Sequence, residues 1–204
     1  METLTKEIQT NITPDNAITR LKDGNNRFVN NNMLSRSYNK QVEITAEGQA
    51  PFAVILSCID SRVPVETIFD QGIGDLFSTR VAGNIVNEDV LGSLEYSCKV
   101  AGSKLVLVLG HTKCGAVTAA CNNVELGNIT SLLNKIQPAV KSINISNTKM
   151  DENKIEEVSI LNVKNSIENI RKNSSILAEM ERNGEIEIVG ATYSVGNGTV
   201  NFLT

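Results

Sequence analysis

Three side chains in this sequence are of types that hold a divalent cation, and they stand just past its two most apolar runs. Cys58 follows Phe52-Ala53-Val54-Ile55-Leu56, in the segment Ser57-Cys58-Ile59-Asp60-Ser61-Arg62. His111, the only histidine of the chain, and Cys114 follow Leu105-Val106-Leu107-Val108-Leu109, in Gly110-His111-Thr112-Lys113-Cys114-Gly115. Two thiolates neutralise a dication and, with one imidazole, make a donor set that Zn²⁺ prefers. Three protein ligands leave a fourth position for water or substrate, which is the arrangement of a catalytic zinc. The step from His111 to Cys114 suits the first turn of a helix, where residues so spaced share a face.

Asp60 has two readings. Two residues from Cys58 in an extended segment, it points to the same side and can reach the metal itself, closing the site. Alternatively Arg62 holds the carboxylate in a forked grip and leaves the fourth position to water. Spacing does not choose between them, so a structural zinc with Asp60 as fourth ligand stands beside the catalytic one. A thiol redox pair is the weaker rival, because the chain has no Cys-x-x-Cys. Cys98 and Cys121 fall on helical apolar faces with no ligand type nearby and read as small buried hydrophobes.

These residues need a frame. Short continuous apolar runs at 52–56 and 105–109 are strands buried on both faces, and segments 75–81 and 185–189 add two more. Helical spacing at Glu88–Ala101 and from Ala116 onward places helices between strands, and 129–182 is polar and mainly helical, with Pro138 at a start or kink. Thr192–Val195, Gly196-Asn197-Gly198 and Val200–Leu203 read as a closing hairpin. The expected fold class is α/β, a mostly parallel central sheet flanked by helices. Ligands of such sheets collect at the carboxyl ends of the strands, where Cys58 and His111 stand. At the N-terminus, Thr13-Pro14-Asp15 opens a helix with Ala17, Ile18, Leu21 and Phe28 on one face. This stripe sits apart from the next core element and is expected to dock on a partner subunit. Residues 33–50 read as an irregular connection. The whole of 1–204 reads as one domain, with the N-terminal helical arm at about 1–32.

Composition narrows the function class. With 41% hydrophobic and 21% charged residues the chain has the profile of a soluble globular protein. A net charge of −4 and no basic run argue against a nucleic-acid partner. No stretch approaches the roughly 20 apolar residues of a membrane helix. The first residues lack the apolar core of a signal peptide, so a cytoplasmic protein is expected where no leader precedes them. Four cysteines are too few for a disulfide scaffold, which directs attention to metal or catalytic use.

At Cys58-x-Asp60-x-Arg62 and His111-x-x-Cys114 the sequence resembles the β-class carbonic anhydrases. The resemblance extends to Gly24-Asn25-Asn26-Arg27-Phe28, Gly72-Ile73-Gly74-Asp75-Leu76-Phe77, Arg80-Val81-Ala82-Gly83-Asn84 and Leu91-Gly92-Ser93-Leu94-Glu95-Tyr96. It implies reversible hydration of CO₂ to bicarbonate and a proton by a zinc-bound hydroxide, with one zinc per subunit on Cys58, His111 and Cys114. It implies a catalytic dyad of Asp60 and Arg62, with Asp60 as fourth metal ligand in a closed form. It also implies a homodimer or a larger assembly of dimers, with the cleft at the interface. Gln49, nine residues before Cys58, matches the plant-like subclass, in which it and the backbone N–H of Gly115 orient substrate between aromatic walls at Phe77 and Tyr96. Ile59 departs from the small residues usual at its place and is expected to point away from the metal. Hydrolysis of a CO₂ analogue such as CS₂ or COS on the same fold, or a zinc-stabilised scaffold without turnover, are the alternatives. Two thiolates leave zinc less acidifying than three imidazoles would, so activity should climb through mildly alkaline pH; a flat profile between about pH 6 and 9 would contradict this.

Overall fold

The computed structural model describes residues 3–143 and 150–203. Its centre is a five-stranded sheet in the order β2-β1-β3-β4-β5. The strands are β1 (Ala53–Ser57), β2 (Leu76–Arg80), β3 (Leu105–His111), β4 (Glu187–Tyr193) and β5 (Val200–Phe202). The first four pair in parallel, and β5 returns antiparallel to β4 in a hairpin, with Glu187–Tyr193 a single strand where a strand at 185–189 and a separate hairpin arm at 192–195 were expected. From β1 the chain leaves to one side for β2, and it comes back to the other side for β3. The carboxyl ends of β1 and β3 are therefore a switch point, where crossover helices diverge and leave a crevice.

Alternation along the two central strands explains the layers. Ala53, Ile55, Leu105, Leu107 and Leu109 face one side, packed with Ala17, Leu21, Phe52, Phe69 and Tyr193. Val54, Leu56, Val106 and Val108 face the other, against Val90, Leu94, Val163, Ile167, Ile170 and Leu177. A third cluster, built on Val117, Ile136, Ala139, Val140 and Val158, closes around Cys58 and Cys114 beyond the strand ends.

Helix α1 (Lys6–Thr10) and helix α2 (Pro14–Val29) form the arm. Thr13 caps α2 in a capping box with Asn16, and proline stands in the first turn, as the sequence indicates. Its apolar stripe, expected to dock on a partner subunit, packs on the chain's own core. Ala17 and Leu21 are fully buried on the chain's own sheet, and Ile18 and Phe28 pack on the same cluster. Residues 33–50 are also more ordered than expected, since Tyr38–Thr45 form helix α3. Only Gln41 of α3 is buried and its N-cap makes no side-chain hydrogen bond, so neither stripe nor cap announces it.

A short α4 (Val65–Ile68) follows Pro64, and α5 (Glu88–Glu95) runs into a π-helical turn over Tyr96–Val100. The helical stretch after β3 divides into α6 (Gly115–Cys121), α7 (Gly127–Leu133), α8 (Gln137–Ile143), α9 (Glu152–Asn173) and α10 (Ser175–Arg182). Pro138 lies in the first turn of α8. Residues 144–149 of the expected helical stretch lie outside the described residues. Among the described residues no helix is long and apolar enough to cross a membrane.

One buried ion cluster ties the arm down. The fully buried Asp70 accepts from Arg27 Nε at 2.5 Å, from Arg36 Nη1, and from the backbone N–H of Leu34 at 3.2 Å. Burial alone would raise its carboxyl, but Arg27 and Arg36 outweigh it and hold the group below the usual carboxylate range. A depressed folded pKa gives stability that is present above about pH 4 and is lost as pH falls through the folded value. Asp70→Ala strands the Arg36 side chain, only 2% exposed, without its counter-charge. A loss of roughly 3–5 kcal/mol is expected by denaturant unfolding at neutral pH.

Candidate metal centre

Cys58 is the first residue after β1 and His111 the last of β3; these neighbouring strands pair in register up to Ser57 and Leu109. Cys114 caps α6 from the loop beyond. His111 and Cys114 thus meet across a strand-to-helix turn and not within one helical turn, as their spacing had suggested. Lys113 makes that turn possible in the left-handed region, at φ 55°. One donor atom from each of Cys58, His111 and Cys114 lies within 4.8 Å of the others, and all three residues are buried.

The donors are prepared for a cation. His111 Nδ1 lies 2.9 Å from the carbonyl oxygen of Thr112, which only accepts, so Nδ1 carries the hydrogen. The lone pair is then on Nε2, which is buried and has no hydrogen-bond partner. Such an orphaned acceptor is costly in a folded interior unless a ligand takes it up. The Cys58 thiol is pulled down, first by its Cys114 neighbour, against burial, and further by the N–H groups of Gly83 and Asp60. Cys114 is pushed up by that same neighbour and by burial. Two buried sulfurs this close suit a dication, which binds both as thiolates and releases their protons. These donors fit one Zn²⁺.

Asp60 stands at the rim. Its Oδ1 accepts from the Arg62 backbone N–H and from Nε, both at 2.9 Å, and its Oδ2 from Nη2 at 2.7 Å. Of the two readings open in the sequence, the structure shows the fork on Arg62. The Arg62 hydrogen bonds hold the carboxyl well below the usual carboxylate range, against partial burial. Oδ2 stays 4.0 Å from His111 Nε2, beside the donor cluster. Ile59 is 60% exposed and turns away, as expected.

Two supporting residues carried no assigned role in the sequence. Arg80 donates from Nε to the Cys58 carbonyl at 3.0 Å and from Nη2 to the Asp60 carbonyl at 2.5 Å, fixing the loop that bears ligand and dyad. Gly83 donates its N–H to Cys58 Sγ at 3.4 Å from a left-handed turn at φ 69°. A Cβ there would sit 2.7 Å from Ile136 Cδ1, so both backbone and packing require glycine. Both lie in Arg80-Val81-Ala82-Gly83-Asn84, where the signal was a family-like string rather than a ligand type.

Of the other expected site residues, Gly115 opens α6 beside Cys114, and a Cβ built on it would meet nothing within 4 Å. The chain does not bring Gln49, Phe77 and Tyr96 to its own cluster. Gln49 is exposed at the opposite end of β1, a strand of about 16 Å. Phe77 and Tyr96 meet edge to face, ring centroids 6.2 Å apart. They line an open cleft of about 650 Å³ with Thr79, Glu88 and Gly92 beside edge strand β2, and none of the three donors borders it.

A parallel sheet with a Cys–His–Cys cluster at its switch point, and a carboxylate–guanidinium pair at the rim, defines a metal-dependent α/β enzyme class. A family model described as carbonic anhydrase matches residues 53–200. Carbonic anhydrase 2 of Mycobacterium tuberculosis is 35% identical, covering 92% of this chain and 92% of that protein. The β-carbonic anhydrase structure from Aspergillus fumigatus superposes with a TM-score of 0.74 at 25% identity, over 93% of this chain and 89% of that one. One of two tetrameric β-carbonic anhydrases of Sordaria macrospora gives 0.72 at 22% identity, over 81% and 90%. The chain belongs to the β-class carbonic anhydrase family.

Proposed function

We propose that this chain hydrates CO₂ reversibly to bicarbonate and a proton, with one zinc ion held by Cys58, His111 and Cys114. The observation that carries the proposal is the convergence of two buried sulfurs and an orphaned imidazole nitrogen beside an Asp60 carboxylate turned aside by Arg62. When bound, zinc supplies Lewis acidity that makes water nucleophilic near neutral pH.

The chain's own groups do the rest. Asp60, kept ionised by Arg62, is an acceptor at the cluster's edge and orients the reacting water through a hydrogen bond. Arg62 also donates to the Lys113 carbonyl at 3.2 Å, so one guanidinium ties the dyad to the His111–Cys114 loop. The N–H of Gly115, one of the unpaired donors in the first turn of α6, is assigned to the substrate oxygen.

The remaining pocket residues are assigned to a second copy of the chain. Gln49 and Tyr96 are exposed and far from their own cluster, and β2 is an open edge. In a homodimer, or an assembly of dimers, they and Phe77 wall the centre of the neighbouring copy and supply the dry slot that an apolar gas requires.

The only histidine is committed to the cluster, so no free imidazole remains to carry the product proton out. Turnover is therefore expected to rise steeply with buffer concentration in stopped-flow assays and to saturate only at high buffer.

The test is stopped-flow CO₂ hydration before and after chelation, with CS₂ and COS as parallel substrates. Zinc-dependent hydration of CO₂ supports the proposal. Turnover of the sulfur compounds alone would move the function to the analogue hydrolases, and no turnover with zinc bound would leave a scaffold.

A further inference from the structure

Helix α9 packs Val158, Val163, Ile167 and Ile170 inward, yet the same buried face carries polar residues. Ser159, Asn162 and Ser166 are 5%, 2% and 3% exposed, a costly placement unless each is satisfied. Each is satisfied by backbone beside the donors, either of the turn after β2 that abuts Cys58 or of His111 itself. Ser159 Oγ donates to the His111 carbonyl at 3.3 Å, Asn162 Nδ2 to the Gly83 carbonyl at 2.8 Å, and Ser166 Oγ to the Asn84 carbonyl at 3.1 Å. One turn earlier, Glu156 accepts the Lys113 N–H at 2.8 Å, between His111 and Cys114. The helix can come this close because residue 110 is glycine: a Cβ there would lie 2.7 Å from Val163 Cγ2.

We infer that Asn162 is a positioning residue for the metal: by holding the Gly83 carbonyl it aims the Gly83 N–H at Cys58 Sγ. The inference rests on the metal reading above. Gly83 is fixed on both sides, its carbonyl on Asn162 and its N–H on the sulfur. Asn84 and His111 are anchored to the same helix face, so α9 holds the turn behind Cys58 against the strand end that carries His111. A hydrogen bond to a metal thiolate draws charge from the sulfur and fixes its direction, and partners beyond the ligands commonly govern affinity.

The experiment uses the full chain, loaded with Zn²⁺ or Co²⁺. Asn162→Ala is expected to weaken zinc about 10-fold in chelator competition and to move the thiolate-to-cobalt charge-transfer band to longer wavelength. Ile170→Val, on the same helix but away from the loops, is the packing control and should change neither readout. An unchanged affinity and band in Asn162→Ala, or equal changes in both variants, would overturn the inference. Failure of the parent chain to bind either metal would instead sink the metal reading. Should Asn162→Ala not fold, Asn162→Ser, too short to reach the Gly83 carbonyl, supplies the measurement: weaker zinc with the shifted band supports the inference, and parent affinity with the parent band overturns it.

Discussion

Cys58→Ser is expected to lose its zinc and, with it, CO₂ hydration to near background. Serine keeps the shape of the side chain but not its charge, because a hydroxyl stays protonated where the Cys58 thiol is drawn down. The dication then faces one potential thiolate instead of two, and the affinity loss should exceed the roughly 10–100-fold typical of groups behind the ligands. The fold should survive. Arg80 grips the carbonyls of Cys58 and Asp60, which the substitution leaves intact, and β1 is buried along its length. His111→Ala should behave alike, since it deletes the orphaned Nε2. Elemental analysis and circular dichroism on both variants check this. Full zinc occupancy in either would refute the ligand assignment.

Arg62→Ala is expected to give the opposite dissociation, with zinc retained and activity lost on the order of 10²-fold or more. The guanidinium makes a forked pair with Asp60 and touches none of the three donors. Without it the carboxylate, already 4.0 Å from His111 Nε2, is free to swing onto the metal position and close the site. Arg62→Lys should rescue little, because an ammonium cannot reproduce the two parallel hydrogen bonds. The pH dependence has a defined sign. Asp60 is depressed in the folded chain, so the paired, ionised state is present above the ordinary carboxylate range and lost only as pH falls below it. In the parent, any decline of activity between about pH 7 and 5 is therefore not the titration of Asp60. In metal-free Arg62→Ala, where neither the guanidinium nor zinc holds it, the carboxyl should titrate nearer its ordinary value, which NMR titration of the Asp60 side chain can follow.

The fold was legible where burial imposes a simple pattern. Val54-Ile55-Leu56 and Leu105–Leu109 are continuous apolar runs because both faces of β1 and β3 are covered, and these two strands alone place Cys58 and His111. Thr13-Pro14-Asp15 was legible because helix starts are written locally. Helix α3 was not, since almost all its side chains face solvent. The arm's stripe was readable, but its partner was not. An amphipathic face says that something covers it, and here Phe52, Phe69 and Tyr193 of the same chain contribute to the cover. Within the site, Cys, His and Asp announce themselves by type and spacing. Arg80, Gly83, Ser159 and Asn162 act through backbone atoms, which have no signature in sequence. Gln49, Phe77 and Tyr96 carry a resemblance, but the folded chain does not bring them to its own donors.

The most direct measurement is X-ray absorption at the zinc edge of the purified, fully loaded protein. Two sulfurs at about 2.3 Å and two lighter atoms at about 2.0–2.1 Å, falling to one sulfur in any Cys58→Ser sample that still holds zinc, are the expected shells. A parent spectrum with a different number of sulfurs, or purified protein that takes up no zinc, would contradict a centre built on Cys58, His111 and Cys114.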